Sequence, residues 1–174
     1  MIPLYVNRNC APLLCPNCKG DVRAFSTFTD SVSAVRERLV AAASDGEVEF
    51  RGCDFLDHPE ARRLVEIALG LGLKTSFVTN GVRLGDHLDL ALRVERVTVQ
   101  IDAVTPLVYN QIWHCSASRL WQVLAHVRML RDARGNRQTP EIVGGFRTFF
   151  HNEHEKSQVE RYYKQIGVDR VVVS

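Results

Sequence analysis

The sequence predicts an α/β fold, one sheet of parallel strands with helices packed outside it. Two patterns carry that prediction. Six short apolar runs alternate with five stretches whose apolar residues recur at helical spacing, and such alternation joins parallel strands through right-handed crossovers. The strand runs are also too apolar for an antiparallel sheet with one solvated face. A third observation locates function. Polar and glycine-bearing punctuation follows the strands, and in parallel folds ligands gather at the carboxyl ends of strands.

Ile2 to Val6 reads as a buried first strand, with Pro3 near its start, where a missing donor is tolerated. A cysteine-bearing loop follows. Thr29, Asp30 and Ser31 offer caps for a helix whose apolar face is Val32, Val35, Leu39 and Ala42, ended by Asp45 and Gly46. Val48 and Phe50 mark strand two, running into Arg51, Gly52, Cys53 and Asp54. Pro59 suits the first turn of a second helix carried by Leu64, Ala68 and Leu71. Thr75 to Val78 is strand three, closed by the turn signal Thr79, Asn80, Gly81. Asp86 to Leu92 makes a short third helix, and Val97 to Ile101 a fourth strand ending at Asp102.

Leu120, Val123, Leu124, Val127 and Leu130 form the most strongly periodic helix, stopped by Gly135. In the fifth strand, Ile142 to Phe150, Gly144 and Gly145 mark a bulge or a close backbone approach. Asn152 followed by Glu155 resembles a capping box ahead of Val159, Tyr162 and Ile166, with Gly167 as the stop. Val168 to Val173 is strand six. There is no internal repeat, low-complexity tract or linker, so residues 1–174 are expected to be one domain.

Composition narrows the function classes. At 174 residues and 45% hydrophobic, the chain can bury a real core. A formal charge of +2 without an aromatic-interleaved basic stripe gives no reason to expect nucleic acid. No apolar run is long enough for a membrane span, and Met1 to Asn9 does not read as a secretory signal. Clustered thiols without such a signal argue for a reducing, cytoplasmic setting.

Three of the five cysteines, Cys10, Cys15 and Cys18, fall within nine residues. Thiolates at that spacing converge on one soft centre, either an iron–sulfur cluster or a structural zinc whose fourth ligand comes from elsewhere. The remaining possibility is unligated cysteines in a loop. Cys115, after Trp113 and His114 in an expected loop, reads as a packing residue. His58, His87, His114, His126, His151 and His154 show no repeated ligand spacing beyond the weak pair His151 and His154.

With these residues laid along the strand ends, nearly the whole chain resembles the core of a radical S-adenosylmethionine enzyme. The resemblance rests on the cysteine triplet after strand one and on Gly52, Cys53 and Asp54 after strand two, where the family has Gly-Gly-Glu. It also rests on Thr79, Asn80 and Gly81 after strand three, and on Gln100 and Asp102, where the family often has Ser-x-Asp. Four residues separate Cys10 from Cys15, where the family has three, and Asn17 stands where it usually has an aromatic.

The resemblance implies a partial (β/α)6 barrel, similar to a TIM barrel, with Cys10, Cys15 and Cys18 holding a [4Fe–4S] cluster. It implies S-adenosylmethionine as cofactor, cleaved reductively to a 5′-deoxyadenosyl radical that abstracts hydrogen from a substrate, small molecule or peptide. It also implies an electron donor. Asp54 is the candidate for the cofactor's ammonium, Arg147 for its carboxylate, and Gln100 and Asn152 for the ribose hydroxyls. Gly52, Cys53, Thr79, Asn80 and Asp102 complete the expected cofactor-binding set, and no separate catalytic side chain is indicated.

Blander readings compete residue by residue. Asp54 and Asn152 could be helix caps, Arg147 half of a satellite ion pair, and Thr79 to Gly81 merely a turn. Cys53, in place of a glycine, is expected to turn into strand–helix packing and leave the open site intact. The alternative is a non-catalytic module with a cysteine-ligated zinc or a closed cluster, Cys53 being the best-placed fourth ligand. A chain ending on strand six lacks a last helix and any C-terminal extension, so a partner or a further segment is expected to cover that edge.

Overall fold

The structure, a computed structural model, describes residues 1–7 and 29–174. Six strands form one sheet in the order of the sequence: β1 (Ile2–Asn7), β2 (Glu47–Gly52), β3 (Lys74–Thr79), β4 (Arg96–Gln100), β5 (Glu141–Phe146) and β6 (Arg170–Val173). Every neighbouring pair is parallel. The helices are α1 (Val32–Ala41), α2 (Ala61–Gly70), α3 (Leu88–Ala91), α4 (Pro106–Trp113), α5 (Ser118–Arg134) and α6 (Lys156–Gln165). The sheet is curled: the Met1 Sδ ahead of β1 lies 3.9 Å from an Arg96 Nη on β4, and one cavity is lined jointly by Tyr5 of β1 and Gln100 of β4. This is the parallel, helix-covered, partial-barrel arrangement expected from the sequence.

Ser31 caps α1, its hydroxyl accepting from Ala34 N–H. The expected α2 begins at Ala61 rather than at Pro59, because Asp54 first caps a separate 3-10 turn, Phe55–Asp57. The expected third helix is a 3-10 turn, Leu84–His87, continued by the short α3. A sixth helix, α4, occupies the stretch taken as loop. Its signals are in the sequence: Thr105 accepts from Val108 N–H as N-cap, Pro106 follows at the first position, and Val108 and Ile112 are buried four residues apart.

The strands alternate, contrary to the expectation of apolar runs buried on both faces. On the convex face Val48, Phe50, Phe77, Val97, Val99, Ile142 and Phe146 are buried. There the Phe50 and Phe55 rings stack at a centroid distance of 4.7 Å, and the Phe77 ring packs tilted against Phe55 at 5.4 Å. Each such side chain contributes roughly 1.5–3 kcal/mol of burial free energy. The residues between them along each strand face the lumen and pair in register there: Tyr5 beside Arg51, Glu49 beside Ser76, Arg96 beside Glu141, and Gln100 beside Gly145.

Gly144 and Gly145 prove to be close approaches and not a bulge, since the β4–β5 and β5–β6 registers run without a shift. A Cβ at Gly144 would lie 2.5 Å from the Tyr163 ring on the helix side. One at Gly145 would lie 2.5 Å from Gln100 Oε1 on the lumen side. The capping box expected at Asn152 and Glu155 is absent. Glu155, only 2% exposed, instead reaches 50 residues back. Its carboxylate accepts from Val104 N–H (2.6 Å), Thr105 N–H (2.9 Å) and the Thr105 hydroxyl (2.6 Å), fixing the loop after β4.

Gly144→Ala is expected to destabilise the fold by about 1–3 kcal/mol, the range for overpacking a filled core. Gly70→Ala, at the open end of α2 with nothing within 4 Å of its Cβ position, should be neutral or slightly stabilising. Urea unfolding of the two variants distinguishes them, and equal midpoints would contradict the packing described at Gly144.

Candidate active site

The carboxyl ends of the strands meet around a cavity of about 180 Å³ lined by Gly52 and Cys53 at the end of β2, Thr79 and Asn80 at the end of β3, Gln100 of β4 and Arg147 after β5. Six of the nine cofactor-binding residues expected from the sequence thus line one cavity. Tyr5, Arg51 and Trp113 share it too and were missed. Tyr5 and Arg51 could have been found from strand alternation, and Trp113 from the unrecognised α4. Cys53 is half-buried and lines the cavity.

Cys10, Cys15 and Cys18 lie outside the described residues. Their flanks are described: Asn7 ends β1, and after the interval Asp30 N–H donates to Val6 O at 3.0 Å. Both flanks therefore sit at the same rim as the cavity. Asp30 is held there by an ion pair with Arg38 and by His58, whose Nε2 is 3.1 Å from the Asp30 carbonyl oxygen.

The other three expected residues, Asp54, Asp102 and Asn152, are not among those lining the cavity; they are buried. Asp54, 1% exposed, accepts from Leu56 N–H at 2.9 Å, the Thr79 hydroxyl at 3.1 Å and Asn80 N–H at 3.2 Å. It is thus a cap and also a tie between the ends of β2 and β3. Burial pushes its carboxyl up to about 7, with the Asp57 charge adding to the effect and the three donors opposing it. The turn after β3 is self-supporting: Gly81 N–H donates to Thr79 Oγ1 and Val82 N–H to Asn80 Oδ1.

Asp102 organises the opposite wall. It is 0% exposed and adopts a left-handed φ of 60°, which short polar side chains tolerate. Its carboxylate accepts from Arg147 N–H at 2.7 Å, from Arg147 Nε–H at 3.0 Å, from a further Arg147 Nη–H, and from Gln100 Nε2–H. Arg147 therefore belongs to an ion pair, and that pair aims it at the cavity. Its guanidinium lies 5.4 Å from the Trp113 ring centroid and 5.5 Å from that of Phe149, within cation–π range. Trp113 is pinned in turn by Nε1–H donation to Ile101 O at 3.0 Å. Asn152 donates to the carbonyls of Asp102 (2.8 Å) and Arg147 (2.7 Å) and accepts from Phe149 N–H (2.6 Å), locking the loop after β5.

The Asp54 geometry predicts a pH dependence. A carboxyl raised to about 7 in the fold and near 3.9 when unfolded favours the folded state at low pH. That contribution is lost as pH rises through about 7. Thermal unfolding of Asp54→Asn should therefore lack the part of the stability decrease that the wild type shows between about pH 4 and about pH 7. Parallel pH profiles for the two proteins would show that Asp54 is not titrating in that window.

No protein-family model and no curated protein matches the chain. Solved structures do. Streptococcus suis SuiB bound to S-adenosylmethionine superposes with a TM-score of 0.77 at 12% identity, over 98% of this chain and 39% of that one. SuiB bound to its precursor peptide SuiA gives 0.75 at 13% identity, over 98% and 38%. TYW1 with a lysine-pyruvate adduct bound gives 0.61 at 14% identity, over 99% and 62%. The chain thus spans less than two thirds of either protein, and what it shares with both is the fold.

Proposed function

We propose that this chain is the core of a radical S-adenosylmethionine enzyme, which holds a [4Fe–4S] cluster through Cys10, Cys15 and Cys18 and binds S-adenosylmethionine at the carboxyl rim of its sheet. The observation that carries this reading is spatial. Both flanks of the cysteine interval and six residues of the expected cofactor set lie at one rim, in a fold shared with a protein bound to S-adenosylmethionine.

When bound, the cluster would supply a low-potential electron, and cleavage of the sulfonium would give a 5′-deoxyadenosyl radical for hydrogen abstraction. The donor set suits such a cofactor. Arg147, pre-aimed by Asp102, offers guanidinium N–H groups to a carboxylate. Gly52 allows close backbone approach, while Asn80 and Gln100 present amides suited to hydroxyls. In this reading Asp54, Asp102 and Asn152 act as positioning residues behind those contacts. The substrate, small molecule or peptide, would enter the lumen, and an electron donor would dock from outside. No helix among the described residues is long and apolar enough to cross a membrane.

A second reading, a closed cluster or a structural zinc, draws on one observation: Cys53 lines the cavity, where a thiolate could complete a four-ligand set.

Anaerobic reconstitution and metal analysis test the first reading. Cys15→Ala should lose the iron and the brown colour, whereas Cys115→Ala should keep both, since Cys115 is half-buried beyond α4 and its thiol faces Ser116 O at 3.7 Å. Equal loss, or a colourless protein holding zinc, would reject the cluster. Cys53→Gly is expected to keep its iron and to preserve or strengthen S-adenosylmethionine binding in calorimetric titration. Loss of iron in that variant would instead favour the four-thiolate reading.

A further inference from the structure

Below the rim, the lumen widens into a second cavity of about 370 Å³ that shares Arg51, Gln100 and Arg147 with the first. Its wall is unusually cationic. Arg51, Arg96, Arg147 and Arg170 line it, drawn from four different stretches of chain, and among the described residues Glu49 is the one acidic side chain that does. The upper cavity has two arginines in its lining and, among the described residues, no carboxylate.

Each of these arginines is held by a carboxylate. Asp102 is fully buried behind Arg147, and Glu49, 3% exposed, is paired with Arg51. Glu141 serves two guanidiniums at once, with Arg96 Nε at 2.6 Å and Arg170 Nε at 2.7 Å. Among the described residues, three carboxylates thus hold four arginines in place, and the positive balance falls where Arg96 and Arg170 share Glu141. Low-dielectric walls focus such a balance on whatever enters.

We infer that the part of the substrate seated in this lumen carries oxyanions, carboxylate or phosphate. The inference rests on the proposed function in one respect, that the lumen beneath the cofactor receives the substrate. The cofactor's one carboxylate is assigned above to Arg147 at the rim; at the other end of the lumen Arg96 and Arg170 share the single carboxylate of Glu141. Guanidinium groups are the side chains best matched to carboxylate and phosphate, which they grip bidentately. Arginines already anchored by carboxylates lose little freedom on binding, so the site is pre-organised for that grip. The volume is that of a small-molecule site.

Calorimetric titration of the full chain at one fixed low ionic strength, with citrate, with pyrophosphate and with glycerol as neutral probe, tests this. One saturable site for citrate or pyrophosphate is expected, none for glycerol, and the anion preferred tells carboxylate from phosphate. Arg170→Gln should weaken that binding about tenfold or more, as loss of a charged hydrogen-bond donor does. So should the double variant Glu49→Gln/Arg51→Gln, which removes both members of the pair and strands no buried charge. Arg36→Gln, exposed on α1, should leave it unchanged. Absence of saturable binding of both anions, or equal affinity in wild type and all variants, would overturn the inference. S-adenosylmethionine titrated separately into the reconstituted protein keeps the two readings apart. Cofactor binding without anion binding removes this inference alone, and anion binding without cofactor binding removes the proposed function while leaving the site.

Discussion

The arrangement at the rim depends on one buried ion pair. Asp102 ends β4 in a left-handed conformation and is wholly shielded, so its charge has to be met inside the protein. Arg147, just past β5, meets it with backbone and guanidinium donors together. Removing either partner would strand a buried charge, which is why such pairs are costly to break even where their net contribution to stability is small. The pair welds the ends of two strands. It also gives Arg147 a fixed direction, over Trp113 and into the cavity. Asn152 and Glu155 extend the same logic outward. Each is a buried polar side chain from the segment after β5, spent on backbone groups of the loops after β4 and β5.

The opposite wall uses the same device in a smaller form. Asp54 collects donors from Leu56, Thr79 and Asn80, so the ends of β2 and β3 are tied by a single carboxyl. The residues facing the cavity are therefore held from behind by residues that do not line it. A carboxylate in the sequence of such a rim can be a ligand or the support of a ligand, and only its surroundings distinguish the two roles.

The sheet divides its labour by face. Apolar side chains on the convex side bury against helices, and charged ones on the concave side pair within a strand or with the neighbouring strand. Gly144 and Gly145 sit at the centre of that division. One admits the Tyr163 ring of α6 and the other the Gln100 side chain. Their smallness is a packing requirement on both faces of one strand, and β5 keeps its register through them.

The sequence alone determined the parallel order of the six strands, the single sheet and the rim at which polar residues gather. Apolar periodicity and turn residues are local signals, and alternation of elements leaves few topologies open. It also carried signals that were overlooked, the Thr105–Pro106 start of α4 and the strict alternation Glu49, Arg51 against Val48, Phe50. Only the tertiary structure decided which polar residues face the cavity. Asp54, Asp102 and Asn152 look no different in sequence from Asn80 and Gln100, yet the first three are buried as supports. Asn152 and Glu155 have the spacing of a capping box, but their partners lie at residues 102 to 105 and 147 to 149, close in space because β4 and β5 are neighbours. A buried polar group takes whichever donors the fold brings to it, and that choice is made across the sheet, where spacing along the chain carries no information.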